Sequence, residues 1–267
     1  MGNKSKLRKG GIIYVCDKEK FQKRFSLVLV SLALLLDGML NMVIIPIIPE
    51  YLKFMPNQTE TATSNDHYEY NKKDVIIGFL FATKPFIQLI ISPISGTIID
   101  HIGYRLPMIL GLFIQFVSTI IFTYTNSLKG LFLARLSQGV GSALAATSGF
   151  AMIANVFRET VERSKALGIT ITALALGSFL SVPFSGFLFE FVDKKAPFIA
   201  LAVLALIDCV LLLSNTFSSC KFQNNVELSE GVNKNVKKTP IHKLLLDPYI
   251  AICSMGLVMA NVSFVLF

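Results

Sequence analysis

The sequence predicts an all-α membrane protein of several spans, on three observations. Hydrophobic residues make up 53% of the 267 residues and charged residues only 16%, too few charges to cover the surface of a soluble chain of this length. The apolar residues fall in runs of roughly 20 or more, and ~20 residues at ~1.5 Å each are what a helix needs to cross ~30 Å of hydrocarbon. The basic residues behind the net charge of +8 gather at the ends of those runs, where they act as topology signals rather than as a nucleic-acid-binding face.

Residues 1–24 hold Lys4, Lys6, Arg8, Lys9, Lys18, Lys20, Lys23 and Arg24 against Asp17 and Glu19. Placed directly before the first span, they predict a cytosolic amino-terminal tail. The first apolar run covers residues 25–49; it is too long for a signal-peptide core and has no small-residue cleavage site after it, so it is expected to remain as a span. The segment 50–74 is slightly acidic and carries Asn57-Gln58-Thr59, which suits a lumenal loop with Asn57 as a glycosylation acceptor. Further spans are expected at 75–99, 106–125, 131–157, 166–191 and 197–214. Residues 25–216 thus form a six-span bundle, followed by a basic cytosolic loop over 217–247. A seventh apolar run, 248–267, opens a second bundle and ends without a flanking charge, so a longer protein with a carboxy-terminal half is expected. Cys16, Cys209, Cys220 and Cys253 show neither metal-ligand spacing nor a disulfide framework.

Ionisable residues inside these runs are the candidate functional groups, because a charge at membrane depth costs roughly 2.5–3.5 kcal/mol on insertion scales and must face a partner or a cavity. Asp37 lies within the first run, and Asn41 extends a polar stripe one helical turn beyond it. Gly38 permits close approach of a neighbour, while Pro46 and Pro49 kink or end the helix. In the second run Lys84 shares a face with Gln88, Ser92 and Ser95, and Pro85 and Pro93 predict a bend. The fourth run places Arg135, Gln138, Gly139, Ser142, Ala146 and Gly149 on one face. Asp208 in the sixth is expected to pair with Lys84 or Arg135. His67, His101 and His242 lie in separate polar segments, and no phosphate-binding glycine loop occurs, so neither an enzyme, a metal site nor a cofactor is indicated.

The turn after the second run reads Gly96-Thr97-Ile98-Ile99-Asp100-His101-Ile102-Gly103-Tyr104-Arg105. Gly103 suits a tight turn, Asp100 a cap or pair at a helix end, and Arg105 the cytosolic side. The pattern G-x-x-x-D-x-x-G-x-R resembles the motif between spans two and three of the major facilitator superfamily. That resemblance implies an amino-terminal six-helix half of the facilitator fold, with Gly96, Asp100, Gly103 and Arg105 as a conformational latch. The span-five stretch holding Gly177, Pro183 and Gly186 is similar to the superfamily's antiporter motif, with Val182 and Ser185 where a second proline and a glycine are expected.

Further stretches carry a narrower resemblance: Leu34-Leu35-Leu36-Asp37, Pro46-Ile47-Ile48-Pro49, Phe81-Ala82-Thr83-Lys84, Ala134-Arg135 with Ser137-Gln138-Gly139, Glu190-Phe191 with Ala196-Pro197-Phe198, and Asp247-Pro248-Tyr249-Ile250. Together they are similar to the vesicular amine transporter family, and to its acetylcholine branch more than its monoamine branch. The resemblance implies a proton-coupled antiporter, a multi-pass protein of synaptic or secretory vesicles. Its partners would be a cationic neurotransmitter, protons and membrane lipid. Asp37 would attract cargo or couple to protons, Lys84 would pair with an acid on an eleventh span, and Arg135 would join the charged network. Two positions depart from the family pattern: Gly38 stands where an asparagine is usual, and Ala146 where the acetylcholine branch has an acid. A monoamine antiporter and a non-transporting half-length subunit or regulator are the alternative readings.

Overall fold

A computed structural model describes the backbone of residues 3–44, 66–125, 127–192 and 195–226, and side chains over 21–44, 75–125, 127–192 and 195–216. Asn57, Pro46, Pro49, most of the loops 50–74 and 217–247 and the run 248–267 lie outside the described residues. The described elements are six helices: α1 Asn3–Met42, α2 Asp66–Ile102, α3 Arg105–Tyr124, α4 Leu128–Val156, α5 Thr160–Phe191 and α6 Ala196–Val226. Each contains a stretch long and apolar enough to cross a membrane, between 20 residues in α3 and 32 in α5. Met1–Cys220 forms one compact unit.

Apolar runs mark the six spans correctly but not the helix ends. α1 begins at Asn3, inside the basic segment, and α2 at Asp66, inside the acidic one. Hydropathy locates where a helix meets hydrocarbon, whereas the backbone stays helical wherever its hydrogen bonds remain cheaper than a turn. α2 also continues unbroken through Pro85 and Pro93.

α4 is the hub. It packs against α2 and α3 along most of its length and touches α1 and α5, while α1 packs chiefly on α5. Small residues set these distances, since without a hydrophobic drive in lipid the helices associate through close van der Waals contact. A Cβ on Gly139 would sit 2.8 Å from the Lys84 carbonyl oxygen and 2.9 Å from the Ile87 Cβ on α2. On the opposite side, a Cβ on Gly141 would sit 2.8 Å from the Gly111 carbonyl oxygen on α3. The link between α2 and α3 is Gly103-Tyr104, and Gly103 adopts φ +88°, a conformation that L side chains rarely tolerate. Its N–H donates to the Ile99 carbonyl at 2.8 Å, so the tight-turn expectation for Gly103 holds.

The core is layered. One apolar cluster joins Leu36, Leu40, Leu80, Phe122, Leu131 and Phe198, and the other Leu29, Ala33, Met108, Leu112, Ile153 and Leu212. Along α3, α4 and α6 the buried polar residues Gln115, Ser142 and Asp208 fall between the two, while Asp37 on α1 lies among members of the first, between Leu36 and Met39. On α2 and α5, by contrast, Phe79, Phe86, Leu89, Phe179 and Phe187 are exposed.

Gly139→Val is expected to destabilise the bundle by about 1–3 kcal/mol through overpacking against α2. Gly168→Ala, which meets open space, should leave the midpoint unchanged or slightly raised. Thermal unfolding in detergent, followed by size-exclusion fluorescence, distinguishes the two.

Candidate functional site

Asp37 sits at the centre of the polar layer, 3% exposed. Its Oδ1 accepts from Lys84 Nζ at 2.9 Å and from Gln115 Nε2 at 2.8 Å, and its Oδ2 accepts from Ser142 Oγ at 2.8 Å. The carboxylate on α1 is therefore gripped by α2, α3 and α4 at once. The Lys84–Asp37 contact is a buried ion pair. Its partners are both desolvated, and each makes the other's burial bearable.

Arg135 lies two turns from Ser142 on the same helix and is 1% exposed. Its Nη1 donates to Gln138 Oε1 at 3.3 Å, and Gln138 Nε2 donates to Thr119 Oγ1 at 3.5 Å. The guanidinium carbon stands 5.8 Å from the centre of the Phe81 ring, within range of a cation–π attraction. Thr119 in turn donates to the Gln115 carbonyl at 2.7 Å. A chain of contacts from Arg135 through Gln138 and Thr119 thus reaches the residue that holds Asp37.

The sequence pattern of the Major Facilitator Superfamily matches residues 30–267. The chain belongs to the major facilitator superfamily. Membership places it among multi-pass membrane transporters rather than enzymes. It is 44% identical over 253 residues to a probable vesicular acetylcholine transporter-A of Danio rerio, covering 90% of this chain and 46% of that protein. It is 42% identical to the vesicular acetylcholine transporter of Drosophila melanogaster, covering 91% and 43%, and 38% identical to that of Homo sapiens, covering 90% and 51%. The chain spans about half the length of these relatives. A solved structure, that of the human organic anion transporter MFSD10 (TETRAN), shares the fold at TM-score 0.57 and 19% identity, over 71% of this chain and 46% of that one.

Within this superfamily fold the sequence-derived site residues part company. Asp37 and Lys84 come together directly, so among the described residues the partner of Lys84 is Asp37; the acid that the resemblance implies on an eleventh span is not among them. Arg135 joins through glutamine and threonine. Asn41 is only half-buried and makes no hydrogen bond to the network. Asp208 corrects an expectation. It is fully buried, yet neither of its carboxylate oxygens meets a donor among the described residues, so it is hydrogen-bonded to neither Lys84 nor Arg135; its neighbours on α6, Cys209 and Leu212, belong to the second apolar cluster.

The turn motif is split similarly. Arg105 opens α3 with its guanidinium 5.9 Å from the Tyr104 ring centre, Gly103 makes the turn, and nothing crowds Gly96. Asp100 is exposed and caps nothing: the cap position of α3 is Tyr104, with no side-chain hydrogen bond there. Of the span-five residues, Gly177 is pressed against the Leu35 carbonyl of α1, while Pro183 is exposed and Gly186 meets open space. Across the same crossing, Gly38 is pressed against the Leu174 carbonyl, and Ser181 Oγ donates to the Met39 carbonyl at 2.7 Å. A side chain at position 38 has no room against α5, so glycine here accompanies a tight α1–α5 crossing one residue from Asp37.

Gln115 and Ser142 hold Asp37 without having been singled out as site residues from the sequence. Ser142 lay in the α4 stripe; Gln115 was visible as the lone amide in the apolar run of α3. Gln115→Leu removes a hydrogen bond to a charged acceptor and is expected to lower unfolding stability by about 1.5–3 kcal/mol, while Asn41→Ala leaves it nearly unchanged, as measured by thermal unfolding of the purified protein.

Proposed function

We propose that this six-helix unit forms one wall of the cargo cavity in a proton-coupled antiporter that loads a cationic neurotransmitter, acetylcholine, into synaptic or secretory vesicles. The basic amino-terminal segment would be cytosolic, the segment around Asn57 lumenal, and Gly96, Asp100, Gly103 and Arg105 part of a latch between two bundles. The observation that carries the reading is the buried Asp37–Lys84 pair. Structural support alone is a poor reason to keep such a pair, since replacing it with apolar residues commonly costs nothing. The similarity to proteins named as vesicular acetylcholine transporters supports the choice of cargo.

The chemistry follows from competition for one carboxylate. An ionised Asp37 holds Lys84 and presents negative charge at membrane depth. A proton on Asp37 would cancel that charge, release Lys84 and weaken the grip on α1, so proton binding and cation binding exclude one another at the same oxygen atoms. Quaternary ammonium cargo donates no hydrogen bonds; it is held by charge and by aromatic faces. Rocking of two bundles about the site would then exchange lumenal protons for cytosolic cation. The tight α1–α5 crossing at Gly38 and Gly177 places a rigid helix pair directly behind Asp37, so a change at the carboxylate is transmitted to two helices together.

Proton-gradient-driven acetylcholine uptake by the full-length protein in vesicles tests the reading. Asp37→Asn and Lys84→Ala are each expected to reduce uptake by an order of magnitude or more at unchanged surface expression. Normal transport by both variants sinks the assignment.

A further inference from the structure

We propose that Asp208 is a proton-binding site separate from Asp37: the folded bundle holds it as a neutral carboxylic acid, and that proton is what lets α6 stay docked on α1 and α3. Three observations carry this. First, Asp208 is 0% exposed, and neither of its carboxylate oxygens meets a donor among the described residues. An ionised carboxylate taken out of water without donors costs far more than the neutral acid does. Asp37 shows what an ionised acid at membrane depth demands: three donors, one of them cationic. The two acids thus sit in environments that favour opposite protonation states.

Second, the helices against which α6 lies bring no cation to Asp208. Cys209 Sγ meets the Ile109 carbonyl of α3 at 3.9 Å, Asn215 Nδ2 donates to Ser26 Oγ of α1 at 3.5 Å, and the Phe198 and Phe122 rings stand 4.8 Å apart. Over residues 25–44 of α1 the charged residue is Asp37, and over 196–216 of α6 it is Asp208 itself. α3 carries a charge at Arg105, one turn before Ile109, with the guanidinium 5.9 Å from the Tyr104 ring centre. Its other titratable group, Tyr124, closes the far end of α3 and has Lys195 5.4 Å from its ring centre. Lys23 and Arg24 precede Ser26 and so lie at the Asn215 end of α6, two turns from Asp208. Cys209, beside Asp208 on α6, is a buried thiol. Lys84 and Arg135 belong to α2 and α4 and make no bond to Asp208.

Third, α6 contains no glycine and docks through its side chains. Phe198 and Leu201 enter one apolar cluster, Cys209 and Leu212 the other, and Asp208 lies between them. A charge at that position stands inside the contact that holds the helix, whereas a neutral acid does not draw α6 towards water. Once α6 leaves the bundle, Asp208 meets water and gives up its proton above about pH 4. The docked state therefore holds one proton more than the undocked state, and its stability falls as pH rises.

Two measurements on the purified full-length protein test the site. In infrared difference spectra at pH 7, a C=O stretch of a protonated carboxylic acid is expected in the wild type and in Asp37→Asn, and lost in Asp208→Asn. In thermal unfolding, the wild type should lose several degrees more than Asp208→Asn between pH 5 and pH 8, since the variant has no proton to release. Should Asp208→Asn fail to fold, Asp208→Leu serves both comparisons. An acid band that survives the Asp208 substitution, or that is absent from the wild type at pH 7, overturns the site. Parallel pH curves for wild type and variant, with the variant less stable throughout, also overturn it, in favour of an ionised Asp208 paired with a group outside the described residues. Neither readout requires transport, so the proposal stands or falls apart from the antiport reading.

Discussion

A carboxylate buried among packed helices must find donors, and Asp37 finds them on three different helices. Lys84, Gln115 and Ser142 reach it from α2, α3 and α4 at 2.8–2.9 Å. Because hydrocarbon offers no water as a substitute, slipping any one helix by a turn would leave a buried charge or amide unpaired, at a cost of several kcal/mol. The pair thereby sets the register of four helices, and the apolar clusters on either side fill space around that register rather than choosing it. Glycines at the α2–α4, α3–α4 and α1–α5 crossings complement this, since they bring the backbones close; at the α1–α5 crossing the short side chain of Ser181 reaches across to the Met39 carbonyl.

Fixing register through a titratable group also makes it conditional. A bundle locked by apolar contacts alone has no chemical handle by which a ligand shifts its state. One locked by an ion pair loosens when a proton or a competing cation takes the carboxylate. The position of Asp37, next to Gly38 in the tight crossing with α5, joins that handle to a rigid helix pair.

Six spans were legible because a run of apolar residues long enough to cross hydrocarbon has few other uses in a chain this poor in charge. Helix ends were not: α1 reaches back to Asn3 and α2 to Asp66, through charged stretches that hydropathy treats as loops. Asp37, Lys84 and Arg135 were legible singly, by the cost of charge at depth. Their pairing was not, because residues 47 apart on different helices meet only through a three-dimensional register that no local spacing encodes. The same limit explains Asp208, whose depth suggested a partner although no donor among the described residues meets its carboxylate. It also explains Gln115, whose importance depends on facing Asp37 rather than on its own chemistry. Gly103 was legible because a glycine between two apolar runs suits a tight turn by its own backbone freedom, whatever surrounds it.

The Asp37–Lys84 contact is an ion pair whose halves are tolerated only together. Thermal or denaturant unfolding of Lys84→Ala beside the double variant Asp37→Asn with Lys84→Ala measures this directly. Lys84→Ala alone should destabilise by about 3–5 kcal/mol, as expected for an uncompensated buried charge, and adding Asp37→Asn should recover a large part of that loss. Equal stability of the single and double variants, or a further loss in the double, would contradict the account.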